Sequence, residues 1–203
     1  MLKIFKPCDF HVHLREGNLA KFVLKENNKY FQKILVMPNL SRPITNSNLL
    51  LKYKKHILKY NKGSQILFTI YLNSECNLKD LKKMHKLNLF SAVKLYPLNA
   101  TTNSSSGVQD IKKMSKYFEF LEKHNIPLCI HGEHVHHNDD PFEREKKFLD
   151  NELSWIISNF KSLKITLEHI TTKDSVKFVK SHKNIAATIT TPHLLENTYT
   201  FLG

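Results

Sequence analysis

Short apolar runs alternate with longer amphipathic stretches along the whole chain. The apolar runs are Phe10–Leu14, Ile34–Met37, Ile66–Leu72, Ala92–Leu95, Pro127–Ile130, Ile165–Leu167 and Ile185–Ile189. Each is four to eight residues or shorter and reads as a strand. Between them, apolar residues recur at i, i+3 and i+4 over Leu19–Asn28, Asn48–Tyr60, Leu78–Leu87, Ile111–His124, Pro141–Phe160 and Lys173–Ser181. That spacing predicts helices with one buried stripe. Ser47, Asn77 and Thr172 or Thr171 are the expected N-caps of the second, third and sixth helices. Strand and helix alternating in this way predict parallel βα units, and continuous apolar strands suit a sheet covered on both faces. Two architectures meet that description, an open doubly wound sheet and a (β/α)8 barrel. No glycine-rich phosphate motif opens a helix, which disfavours the nucleotide-binding open sheet. The expected fold is therefore an α/β (β/α)8 TIM barrel, incomplete, with about seven of eight βα units over residues 1–203 as one domain. A complete barrel needs about 250 residues.

Composition changes this picture little. Hydrophobic residues make up 41% of 203 residues, enough for a packed core. The net charge of +13 comes from lysines dispersed along the chain, without a nucleic-acid-binding motif. A field of that sign draws small anions, and neither a nucleic-acid nor a membrane partner is expected. Three widely spaced cysteines without a CxxC pair point to reduced thiols and a cytoplasmic protein. Met1 to Phe10 lacks the apolar core of a secretion signal, and no apolar run approaches the ~18–20 residues that cross a bilayer.

The chemistry collects where strands end. In His11-Val12-His13, side chains two apart on a strand face the same way, so two imidazoles reach one point, as two ligands of a zinc-like ion do. Other strand ends bring Arg15, Met37-Pro38-Asn39, Lys94, His131-Gly132-Glu133, Glu168-His169 and Pro192-His193. At the C-terminal mouth of a barrel, where active sites lie, four histidines and one lysine would meet. An ammonium offers a metal no lone pair. Lys94 either extends its amine to solvent or is carboxylated by CO2, giving an anionic carbamate that bridges two cations. The company of four histidines favours the bridge. The polar loop Pro97–Gly107 reads equally as a solvated linker or as a lid over a site. Asn39 after Pro38 also suits a plain turn, and His134, His136 and His137 read as surface loop.

His-Val-His-Leu-Arg, Met-Pro-Asn, Lys94 to Ser105 (KLYPLNATTNSS), His-Gly-Glu and Glu168 to Asp174 (EHITTKD), in this order, resemble dihydroorotases of the shorter bacterial type, within the amidohydrolase superfamily. The resemblance runs from about Leu2 to Leu195. It implies a zinc-dependent, reversible cyclisation of N-carbamoyl-L-aspartate to L-dihydroorotate, a step of de novo pyrimidine synthesis. It implies two Zn2+ ions, one on His11 and His13 and one on His131 and His169, bridged by N6-carboxylated Lys94 and a hydroxide. It assigns Arg15 and Asn39 to the substrate carboxylate, and Thr101 and Thr102 to a closing lid. A homodimer is expected of the complete form.

The general base of the family, an aspartate at the end of the eighth strand, has no counterpart here; Asp139 and Asp174 stand at positions that do not match. The chain is accordingly expected to be C-terminally truncated, with its activity in doubt. Two alternatives accompany this reading. One is a non-catalytic dihydroorotase-like subunit that binds a pathway enzyme such as aspartate carbamoyltransferase. The other is an amidohydrolase acting on a different cyclic amide.

Overall fold

The computed structural model describes residues 4–197 and 200. The chain forms two compact units, Met1–Lys94 and Leu95–Gly203. The division falls within the fourth strand, β4 (Ala92–Leu95).

The first unit runs β1 (Cys8–Val12), α1 (Gly17–Tyr30), β2 (Lys33–Val36), α2 (Ser47–Leu58), β3 (Gln65–Leu72), α3 (Leu78–Lys86) and most of β4. β1 pairs parallel with β2, and β2 with β3, placing Asp9 beside Ile34 and Ile34 beside Ile66. Ile34, Leu35 and Val36 are all buried, as a strand covered on both faces requires. The helices bury one stripe each: Ala20 and Leu24 on α1, Leu50, Tyr53 and Ile57 on α2, Leu81 and Met84 on α3. Asn77 caps α3 by accepting the N–H groups of Lys79 and Asp80. The cap of α2 is Asn46, whose side chain accepts Leu49 N–H, and not Ser47. β1 begins and ends two residues before the apolar run. Its register breaks between Asp9 and Val12, so His13 lies just beyond the ladder.

The second unit contains a 3-10 turn (Ile111–Met114), α4 (Ser115–Lys123), β5 (Leu128–His131), α5 (Arg144–Phe148), a π-helical turn (Leu149–Leu153), α6 (Ser154–Asn159), β6 (Ile165–Glu168), α7 (Lys173–Ser181), β7 (Ile185–Ala187) and α8 (Thr191–Leu195). β5, β6 and β7 pair in parallel, with Ile130 beside Leu167 and Leu167 beside Ala187. The amphipathic stretch Pro141–Phe160, read as one helix, is helical without a break from Arg144 to Asn159, with a π turn at its middle. The Ser154 hydroxyl donates to Leu149 O, five residues back, and this insertion into the ladder accompanies the wider π turn. α8 was not legible as a helix, although Pro192 sits in its first turn, where a missing N–H does no harm. Seven strands alternating with helices are the parallel α/β repeat of a (β/α) barrel.

Candidate active site

In the first unit the site grows from the end of β1. The Asp9 carboxylate accepts His11 N–H at 2.9 Å and fixes the backbone there. The Nε2 atoms of His11 and His13 then lie 3.2 Å apart, with their rings at 64°. Burial pushes the His13 pKa down to about 3, helped by the charges of His11, Arg15 and Lys94 and opposed by a hydrogen bond with Asn39. His13 is thus a neutral imidazole with a lone pair to offer. Asn39 is 2% exposed, too buried for a plain surface turn. Lys94 is fully buried, which removes the reading in which its amine extends to solvent.

Arg15 follows in the left-handed region at φ +62°, where an arginine rarely sits. Two contacts hold it there. Its carbonyl accepts Tyr53 O–H at 2.9 Å, and its Nη1 donates to Asn39 O at 3.2 Å. One face of the guanidinium fork is therefore anchored by the backbone of another predicted site residue.

In the second unit His131 closes β5 and His169 follows β6; their ring centroids are 4.5 Å apart. His131 Nε2 lies 3.2 Å from Glu133 Oε1. His169 also has a left-handed backbone, φ +44°. Its N–H donates to Thr188 Oγ1, and the Thr188 hydroxyl donates to Glu168 Oε2 at 2.6 Å. Glu168 is 2% exposed. On the far side of the same turn, Glu145 accepts the N–H and hydroxyl of both Thr171 and Thr172. Burial pushes the Glu145 carboxyl up, but hydrogen bonds from Ser175, Thr172 and Thr171 outweigh it and the net shift is down. Glu145, Glu168 and Thr188 were not picked out from sequence as site residues. For Glu168 the EHITTKD motif held the signal; Glu145 is 26 residues from its partners and left none.

The loop Pro97–Gly107 closes on itself, with an exposed tip. Leu98 N–H donates to Val108 O and Val108 N–H to Tyr96 O, which ties its two feet together. Ser104, 1% exposed, receives Thr101 N–H on its hydroxyl. A Cβ on Gly107 would lie 2.6 Å from Pro97 O, so only glycine allows this approach. Thr101 and Thr102 are exposed at the tip. Beside the loop a cavity of about 990 Å³ is walled by Asn99, Glu133, His134, Arg144, Glu152 and Trp155, among others. His136 and His137 are exposed as expected. His134 is not loose: its Nδ1 lies 2.6 Å from Asp139 Oδ2, and Asp139 also receives Lys147 Nζ. The hydrogen bond from Lys147 leads those that hold the Asp139 carboxyl well below the usual carboxylate range.

Among the described residues, no three His, Cys, Asp or Glu side chains gather as one metal-binding group; the predicted histidine ligands come as two pairs. The first pair passes a test of fit. Two nitrogens 3.2 Å apart, each about 2.05 Å from a shared ion, subtend about 100°, near the tetrahedral angle zinc favours.

No family model matches the chain. It is 43% identical over 199 residues to a curated dihydroorotase of Vibrio parahaemolyticus, covering 97% of this chain and 58% of that protein. Its structure resembles a Campylobacter jejuni dihydroorotase (TM-score 0.88, 34% identity, 98% of this chain and 58% of that one). It also resembles a Saccharomyces cerevisiae dihydroorotase solved with 5-fluoroorotic acid (TM-score 0.87, 30% identity, 97% and 59%). The chain thus spans less than two thirds of the length of the relatives it matches.

Proposed function

Because the chain belongs to the dihydroorotase family over the 199 residues it shares with that enzyme, we propose that it supplies the metal-holding and carboxylate-binding parts of a dihydroorotase. The reaction is the zinc-dependent, reversible cyclisation of N-carbamoyl-L-aspartate to L-dihydroorotate, in the cytoplasm. The observation that carries this reading is the convergence of His11 and His13 Nε2 to 3.2 Å beside a fully buried Lys94.

By family likeness His11 and His13 would hold one zinc and His131 and His169 another, and Lys94, once carboxylated, would offer ligand oxygens in place of an ammonium. Zinc, when bound, supplies a hydroxide near neutral pH and polarises the carbonyl under attack. The protein groups do the rest. His13 stays neutral because burial and neighbouring cations oppose its protonation, so no proton competes for its lone pair. Arg15 presents a guanidinium whose fork matches a carboxylate and so selects an acidic substrate. Thr101 and Thr102 stand on an ordered loop and face the incoming molecule.

The test uses two proteins: the 203-residue chain, and the same chain joined to the remainder of the Vibrio parahaemolyticus relative. Both are expected to bind zinc. The joined protein is expected to hydrolyse dihydroorotate at least 10²-fold faster, the scale of an added general base. Absence of zinc from both, or a joined protein that leaves dihydroorotate intact, overturns the proposal.

A further inference from the structure

Glu145 is a buried carboxylate that is not itself one of the five predicted zinc ligands, and its surroundings are built for it. Both oxygens are used symmetrically. Oε2 accepts the N–H and hydroxyl of Thr171, each at 2.9 Å. Oε1 accepts the N–H of Thr172 at 2.9 Å and its hydroxyl at 2.5 Å. Four donors on one group need an ionised carboxylate, which only accepts; an amide would turn its own N–H bonds toward two of them. The negative charge also sits at the start of α7, where exposed N–H groups favour an anion. Thr172 is at the same time the α7 N-cap, accepting Ser175 N–H.

What this clamp holds is a turn of two residues. His169 precedes Thr171 by two positions and has a left-handed backbone at φ +44°. A non-glycine residue keeps such a conformation only where its surroundings over-determine it. Here both sides are pinned. Thr188 takes His169 N–H, and Ile170 N–H donates to Thr188 O. Glu145 takes the next two residues. Rotation of the peptides at 170–172 would swing the imidazole away from His131, whose ring lies 4.5 Å off.

We propose that Glu145 is a positioning residue, which through Thr171 and Thr172 fixes the turn at His169 and so aims that imidazole as a metal ligand. This rests on the assignment of His169 to zinc given above. Partners that orient metal ligands carry a tenfold to hundredfold share of affinity. Glu145 acts one residue further out, so its effect lies near the lower end.

Cobalt(II), titrated into the metal-free 203-residue chain and followed by its visible ligand-field bands, tests both statements separately. His169→Ala is expected to abolish one of the cobalt sites. Glu145→Gln is expected to weaken that site about tenfold, shift its bands and leave the other site as it was, in protein that still melts cooperatively. Faster hydrogen exchange at Thr171 and Thr172 amides should accompany the loss. Failure of the unaltered chain to bind cobalt, or His169→Ala binding like the parent, overturns the zinc assignment and this inference with it. Loss in His169→Ala with parent-like binding in Glu145→Gln overturns the inference alone. Should Glu145→Gln not fold, the double variant Thr171→Val and Thr172→Val decides. It keeps the charge and removes two of four donors; at least threefold weaker binding supports the clamp, and parent-like affinity overturns it.

Discussion

Single residues set the geometry around each histidine pair, and two of them make sharp predictions. Gly132 stands between His131 and Glu133, and a Cβ there would lie 2.4 Å from Leu167 Cδ1 and 3.6 Å from Phe148 Cδ1. Both side chains are fully buried and have little room to yield. Gly132→Ala should destabilise by about 1–3 kcal/mol, the usual range for overpacking, read as a lower urea midpoint at constant slope. Tyr53 donates its hydroxyl to the carbonyl of Arg15, and burial pushes the phenol well above its ordinary pKa, so the proton to be donated is always present. Tyr53→Phe removes one of the two contacts that hold Arg15 at φ +62°. In the joined enzyme it should raise KM for dihydroorotate severalfold with a smaller change in kcat, since a carboxylate anchor contributes mainly to binding. At this scale the sequence was informative about which residues matter and silent about how they are held. The nearness of His11 and His13 was legible in their i, i+2 spacing, although His13 lies just beyond β1. The left-handed turns at Arg15 and His169 did not, because neither arginine nor histidine advertises such a backbone and the contacts that enforce it come from Tyr53 and Thr188, far along the chain.

Elements were legible wherever one periodicity ran unbroken. β4, α7 and the start of α3 fall where the apolar pattern puts them. The stretch Pro141–Phe160 is helical from Arg144 to Asn159 as its apolar spacing predicts, while the π turn beside the Ser154 hydroxyl is a local choice that periodicity does not record. The join between β6 and α7 depends on charge as much as on pattern. Glu145 has a depressed pKa in the folded chain, so it binds its proton more weakly folded than unfolded. The stabilisation it gives is present above the ordinary glutamate value of about 4.3 and is lost as pH falls through the lower folded value. Acidification below about pH 4.3 should therefore loosen the start of α7. Amide exchange at Thr171, Thr172 and Ser175, corrected for intrinsic rates, should rise there in the parent and be already high at neutral pH in Glu145→Gln.

At the scale of the molecule the comparisons and the alternation of strand and helix agree on a barrel-type α/β chain, matched over 97–98% of its length by dihydroorotase structures. Among the described residues no helix is long and apolar enough to cross a membrane. Net charge is the property that composition alone already supplied. At +13, the chain should attract the carboxylate-bearing substrate proposed for it over distances that salt shortens, since the screening length falls from about 30 Å at 0.01 M to 8 Å at 0.15 M ionic strength. In the joined enzyme, kcat/KM for dihydroorotate should fall severalfold across that range while kcat stays level; an unchanged ratio would show that the charge takes no part in capture.

The loop from Pro97 to Gly107 has a consequence for recognition. Its feet are stapled by the Leu98 and Val108 backbone and its interior is plugged by Ser104. Should a molecule bind at Thr101 and Thr102, as proposed above, it would meet a loop already closed by its own backbone hydrogen bonds. Immobilising a slack segment opposes association by roughly 1–2 kcal/mol for every residue stilled. Here that penalty falls on folding instead, so any contact made at the tip carries less of it.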